Sequence, residues 1–248
     1  LVDGHGSFDP VLLVEMTKKI EKRFGPNRTK DCIDAIARGA IEEAVKIIGI
    51  NGIRTLLIAT GTQKVLSSRY KKYEAVWETS FKRASYAQKI AIQLKMNRIG
   101  DAAYLAGLLS DVGRIILLSV NPETIDKLKK STGIDGIADS TLIEEISLGV
   151  SHTSLGGMVC SKWGFDKSLI SAIELHHSPH LAGNQLKPLI YSVYLADILI
   201  EIENRKTNHR MVDEDVLEFM KLGNVKDFES LHKVLADSYR QQTAPRHA

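Results

Sequence analysis

Apolar residues recur at three- and four-residue spacing through almost the whole chain, and no stretch alternates polar and apolar residues as a half-buried strand would. The run LAGLLSDVG, Leu105 to Gly113, shows the pattern. Leu105, Leu108, Leu109, Val112 and Ile116 form one continuous stripe, while Ala103, Gly107 and Ser110 make the opposite side small enough for a second element to come close. The periodicity predicts an all-α protein, with helices at about 9–23, 31–48, 51–66, 72–97, 100–120, 121–131, 139–148, 152–163, 166–177, 187–204, 212–221 and 226–241. Stop signals at Gly25-Pro26, Asn51-Gly52, Asn121-Pro122, Gly133, Gly164 and Ser178-Pro179 agree with several of these ends.

A polar, basic joint, SSRYKKYE from Ser67 to Glu74, separates two apolar blocks. The expected organisation is a smaller N-terminal helical lobe over about 1–68, a larger helical lobe over about 69–242, and a tail over about 243–248 too poor in apolar residues to pack. The 248 residues are 44% hydrophobic and 25% charged, with a formal net charge of +3. Basic residues are spread along the chain, so this balance permits an anionic partner without arguing for one. Cys32 and Cys160 lie far apart with no CxxC spacing and are expected as reduced thiols in a cytoplasmic protein. The longest apolar run, Leu189 to Ile202, is interrupted by Asp197 and Glu201. It is too short to span a bilayer, and no signal peptide pattern is present, so no membrane partner is expected. The chain opens LVDGHGSFDP, and Leu1 is expected to follow a further segment.

Four places put polar chemistry where the helical pattern calls for hydrophobes. Asp111 lies between the apolar stripe and the small-residue side just described. His152 shares a face with Leu155, Val159 and Trp163; His176 follows Leu169 and Ile173, and His177 follows Ile170 and Ile173. Asp197 follows Ile190, Val193 and Tyr194 and is the strongest signal of the set. A buried acid must be neutralised by a cation, by hydrogen bonds or by protonation. Each residue has a structural alternative: Asp111 can pair with Arg114, Asp197 with one of the histidines, and His176 and His177 can complement the negative end of their helix. Two inward acids and three inward histidines from separate helices nevertheless suggest one shared cluster. Imidazole nitrogens with carboxylate oxygens and no thiolates suit a hard or borderline divalent cation.

Other site classes are absent from the sequence. There is no GxxxxGK[ST] phosphate loop, no GxGxxG opening a strand–helix unit and no GxSxG elbow. GINGIR, from Gly49 to Arg54, reads as a joint between two helices, but the following TLLIATG is apolar. A recognition helix offers polar and basic residues to base edges, so no specific nucleic-acid partner is expected.

The order of these segments resembles the HD superfamily of metal-dependent phosphohydrolases and, within it, the HDOD branch of output domains in bacterial signalling proteins. AYLAGLLSDVGRIIL is similar to that family's GLLHDIG segment, and YEAVWETSFKRA to the helix before it. SHTSLGGMVCSKWGF, AIELHHSP and LIYSVYLAD are similar to the later segments, while FDPVLLVEM and AVKIIGINGIRTLLI match the N-terminal lobe. The likeness extends over about residues 8–200 and implies an HD-like helical bundle. It implies Asp111, His152, His176, His177 and Asp197 as the remainder of a metal centre.

The resemblance also exposes departures. Thr79 and Ser110 stand where active relatives have histidines, and neither hydroxyl replaces imidazole well at a divalent metal. In the two-metal hydrolases the missing histidines belong mostly to one metal and the retained set to the other. HHSPHLAGNQLKP lacks the Gly-Tyr-Pro signature of relatives that cleave cyclic-di-GMP. The implied function is a non-catalytic signalling module acting on a signalling protein or a fused regulatory domain, in the bacterial cytoplasm. Its degenerate centre holds either one divalent cation (Fe, Mn, Ni or Mg) or a metal-free network of acids and imidazoles. The alternatives are a metal-dependent phosphohydrolase on a nucleotide or phosphoester, and a small-molecule sensor that keeps the old cavity.

Overall fold

The computed structural model describes residues 74–96, 99–120 and 140–243. The expected N-terminal lobe with its three helices, Cys32, the helix at 121–131 and the residues after 243 lie outside these. Every described element is helical, and no strand occurs among the described residues. The helices are α1 (Glu74–Gln93), α2 (Gly100–Leu109), α3 (Val112–Val120), α4 (Ser140–Leu148) and α5 (His152–Lys162). They continue with α6 (Lys167–Glu174), α7 (Lys187–Glu203), α8 (Glu214–Met220) and α9 (Val225–Thr243). Short 3₁₀ turns fall at Pro179–Leu181 and His209–Met211. One compact unit spans Lys72–Tyr239.

Local chemistry starts several of these helices. The Asp166 side chain accepts the Leu169 N–H at 3.0 Å to open α6, and Asp213 accepts the Asp215 N–H at 3.0 Å to open α8. Ser151 accepts from Ser154 N–H at 3.4 Å at the start of α5, which places His152 in its first turn. Each such cap satisfies a backbone donor that the helix itself cannot.

Helix α7 is the centre of the unit. Every residue from Leu189 to Ile200 is buried, so the helix is enclosed on all sides rather than amphipathic. Helices α1 and α2 pack against each other and against α7, α3 lies on α5, and α5 on α6. Two glycines set how close these pairs come. A Cβ on Gly107 would stand 3.0 Å from the Ala84 Cα of α1. A Cβ on Gly113 would stand 2.7 Å from the Gly156 nitrogen and closer still to the His152 carbonyl. The backbone of α3 therefore touches that of α5 where His152 begins.

Two expected helices differ from those observed. The helix expected over 100–120 is broken by a turn at Ser110–Asp111, between α2 and α3. The helix expected over 166–177 stops at Glu174, so His176 and His177 lie beyond it. His176 Nδ1 bonds the Ile173 carbonyl at 2.7 Å, taking one of the acceptors that the end of α6 leaves open. Neighbours on a helix point about 100° apart. Off the helix, the two histidine rings come within 4.0 Å, centroid to centroid.

Candidate metal centre

The five residues singled out by the sequence converge. Asp111 comes from the α2–α3 turn, His152 from the first turn of α5, His176 and His177 from the segment after α6, and Asp197 from the middle of α7. His152 Nε2 is 3.7 Å from Asp111 Oδ1, and His177 Nδ1 is 3.5 Å from Asp197 Oδ2. The His152 ring lies 5.4 Å from that of His176 and 5.1 Å from that of His177.

A sixth residue, missed in the sequence reading, organises the acids. Arg83 of α1 is only 3% exposed. Its Nε donates to Asp197 Oδ1 at 2.6 Å, its Nη2 lies 2.6 Å from the same oxygen, and Nη2 also reaches Asp111 Oδ2 at 2.8 Å. Nη1 donates to Ser110 Oγ at 2.8 Å, and the Ser110 hydroxyl donates in turn to the Gly107 carbonyl at 3.1 Å. One planar guanidinium thus links α1, the α2–α3 turn and α7, a geometry that arginine's fork of donors permits and a lysine ammonium does not. The signal was present in SFKRASYAQKI: Arg83 stands at helical spacing from Ser80, Tyr86, Ala87 and Ile90, all of them buried.

The histidines are arranged differently. His152 Nδ1 is 2.6 Å from Glu144 Oε2 of α4, which also accepts the His152 backbone N–H at 2.7 Å. His176 Nδ1 faces the Ile173 carbonyl, an acceptor only, so that nitrogen carries the proton. His177 Nδ1 faces Asp197. The Nε2 atoms of His176 and His177 are buried and have no hydrogen-bond partner. Arg114 approaches this group as well: its Nε is 3.5 Å from Asp111 Oδ1, and its Nη2 is 3.4 Å from both ring nitrogens of His152.

Burial and charge fix the protonation states. Burial, aided by neighbouring His177, lowers His176 to about 3. Burial lowers His177 to about 4 despite Asp197 beside it. Burial and then Arg114 hold His152 well below the ordinary imidazole value. All three rings are therefore neutral at neutral pH. Burial pushes Asp111 up, but Arg114 and Arg83 outweigh it, and Arg83 does the same for Asp197, so both remain ionised.

This arrangement divides the donors. The two acids have their charge met by Arg83, joined at Asp111 by Arg114, and the two guanidinium groups do for them what a bound cation would. Nitrogens of His152, His176 and His177 lie within 4.8 Å of one another and form a group able to hold a metal ion. An Nδ1 tied to an internal acceptor, with Nε2 left as a bare lone pair, is the way metal-ligating histidines are held. The imidazoles fit a divalent cation; Asp197, with Oδ1 bound twice by Arg83, does not.

Comparisons with known proteins agree with this fold. Over 240 residues the chain is 27% identical to an uncharacterized protein of Treponema pallidum (strain Nichols), covering 96% of this chain and 45% of that protein. It therefore spans less than half the length of this relative. A crystal structure from Marinobacter aquaeolei VT8, provisionally named a signal transduction protein, superposes with a TM-score of 0.69 at 19% identity, covering 95% of this chain and 52% of that one. A second, from Shewanella amazonensis SB2B and provisionally named a phosphohydrolase, gives 0.60 at 20% identity, covering 94% and 91%. The HDOD domain matches residues 37–179, more than half of the sequence. The chain belongs to the HDOD domain family.

Proposed function

We propose that the chain is a non-catalytic HDOD signalling module of the bacterial cytoplasm, acting through contacts with a partner protein or with another domain of its own chain. The observation that carries this reading is the Arg83 guanidinium between Asp111 and Asp197, at 2.8 and 2.6 Å. Two-metal hydrolysis needs two cations about 3.5–4 Å apart, bridged and charge-balanced by such carboxylates. Here one fixed monovalent cation takes their place. Ser110, in the position where the family resemblance expects a histidine, is part of the arginine's seat. The provisional assignment of the Marinobacter neighbour to signal transduction is in keeping with this role.

The centre is a degenerate one, made of Asp111, His152, His176, His177 and Asp197. Of these, His152, His176 and His177 are the residues that would hold one divalent cation. Their all-nitrogen set favours iron or nickel over magnesium or manganese. A cation there would act as a Lewis acid towards a bound oxygen.

That same group favours a second reading, a phosphohydrolase working on a nucleotide or phosphoester with one cation, as the provisional name of the Shewanella neighbour suggests. One experiment separates the two. The protein, purified without chelator, is analysed for metal by plasma mass spectrometry. It is then assayed on phosphomonoesters and phosphodiesters with Mn²⁺, Fe²⁺ or Ni²⁺. The signalling reading expects no turnover above the protein-free rate. Turnover abolished by His176→Ala and Asp111→Ala overturns it.

A further inference from the structure

Helix α4 has little to hold it in place by burial. From Thr141 to Leu148 no residue is buried, and Leu142 and Ile146 are 54% and 77% exposed. Yet α4 sends one side chain into the centre. Glu144 Oε2 accepts from both the backbone N–H and the Nδ1 of His152, at 2.7 and 2.6 Å, while Oε1 lies 3.8 Å from Arg114 Nε. The carboxylate thus caps the first turn of α5 and fixes the His152 ring with its Nε2 toward Asp111.

We infer that Glu144 is a positioning residue for a cation held by His152, His176 and His177, and that through it the state of this group is passed to α4. The inference rests on the reading of these imidazoles as the residual cation site. His152, His176 and His177 would hold the cation; His152, so engaged, would become a stronger Nδ1–H donor, and its bond to Glu144 would tighten. The coupling is reciprocal: whatever factor docked α4 adds to cation affinity, the cation adds to the docking of α4. Glu144 thus connects the buried centre to a helix that is itself largely exposed, with Leu142 and Ile146 on its open side.

The test titrates Co²⁺ into the full chain, following its visible d–d bands, and measures amide hydrogen exchange over 140–148 with and without saturating Co²⁺. Wild type is compared with Glu144→Ala, Glu144→Gln and, as a control at an exposed neighbour, Glu145→Ala. The expected result is Co²⁺ affinity about 10–100-fold weaker in Glu144→Ala, with a smaller loss in Glu144→Gln and none in Glu145→Ala. In wild type, Co²⁺ slows exchange in α4 by a comparable factor, and in Glu144→Ala it does not. Equal affinity in Glu144→Ala, or α4 exchange unmoved by saturating Co²⁺, overturns the coupling while leaving the three-imidazole site intact. A folded wild-type protein that shows no Co²⁺ bands overturns the site itself, and the coupling with it.

Discussion

Arg83 and Asp197 are 114 residues apart in the chain and meet through two contacts of 2.6 Å in the interior, one from Nε and one from Nη2 to the same carboxylate oxygen. The arginine lies on α1 among alanines and a buried tyrosine, and the aspartate on the most deeply enclosed stretch of α7. Isolated, either charge would be costly in this place. Paired, and joined by Asp111 and Ser110, they form a closed charge network of one cation and two anions, with Arg114 at its margin.

Removing the guanidinium should therefore destabilise the protein far more than a surface change. Arg83→Met keeps an unbranched apolar stem but leaves Asp111 and Asp197 without the guanidinium that joins them. Its unfolding free energy is expected to fall by about 3–5 kcal/mol. Arg83→Lys should recover only part of this, because an ammonium cannot meet both acids and Ser110 Oγ with arginine's geometry. Urea denaturation followed by circular dichroism measures both. A loss below about 1 kcal/mol would show that the acids are neutralised by something else.

The three imidazoles set an acid limit on stability. Their folded values lie below the ordinary 6.5, about 3 for His176 and about 4 for His177, with His152 lowered likewise. Below about pH 6.5 the unfolded chain takes up protons on them and the folded protein does not, so stability present above that pH is lost as pH falls. Each histidine contributes about 1.4 kcal/mol per pH unit in this window. Glu201, pushed up to about 7 by burial and then by Asp197, works the other way and offsets one of the three. Below about pH 4 the lowered Asp111 and Asp197 add a further loss of the same sign. Urea midpoints should be highest near neutrality, with at least about 2 kcal/mol lost between about pH 6.5 and 5. A flat profile over that range would mean that the rings are solvated or protonated in the folded state.

Gly113→Ala should be the most damaging single methyl addition among the described residues. The new Cβ would meet the backbone of His152 and Gly156, which cannot swing aside as a flexible side chain can. A loss of about 3 kcal/mol, at the upper end for overpacking, is expected. The same change at Gly164, where the new Cβ would meet nothing within 4 Å but φ is +73°, adds no clash, and its strain costs about 1 kcal/mol. Thermal melts of the two variants compare steric contact with backbone conformation directly.

The C-terminal helix α9 is held by a second polar cluster. Glu203 at the end of α7 accepts from Tyr86 Oη at 2.6 Å and from His232 Nε2 of α9 at 2.8 Å, and pairs with Lys82. Despite burial, the bonds from His232, Lys82 and Tyr86 hold its carboxyl down at about 2. Glu203→Ala leaves three groups without their acceptor and should cost about 1–3 kcal/mol. Hydrogen exchange should rise in the first half of α9 while α2 and α3 remain protected. Uniform exchange across the unit would instead mean that α9 does not open separately.

Much of the described unit was legible in the sequence, because helical periodicity is a local property and apolar stripes run through α1, α2, α5 and α7. Asp111, His152, His176, His177 and Asp197 were legible for the same reason: each lies in or beside such a stripe, and burial makes its place there meaningful. The breaks at Ser110–Asp111 and after Glu174 were not. Each coincides with a contact made by a side chain, from Arg83 to Ser110 and Asp111, and from His176 to the Ile173 carbonyl, and these are invisible to spacing.

By itself the sequence determined the helical class, most helix positions and which polar residues are turned inward. Only the tertiary structure decided what those residues do to one another. It brought Arg83 between two acids, left three imidazoles with their nitrogens together, and set Glu144 of an outer helix against His152. The physical reason is range. Periodicity records which face of a helix avoids water, whereas the partner of a buried charge is chosen by packing between segments as much as 114 residues apart.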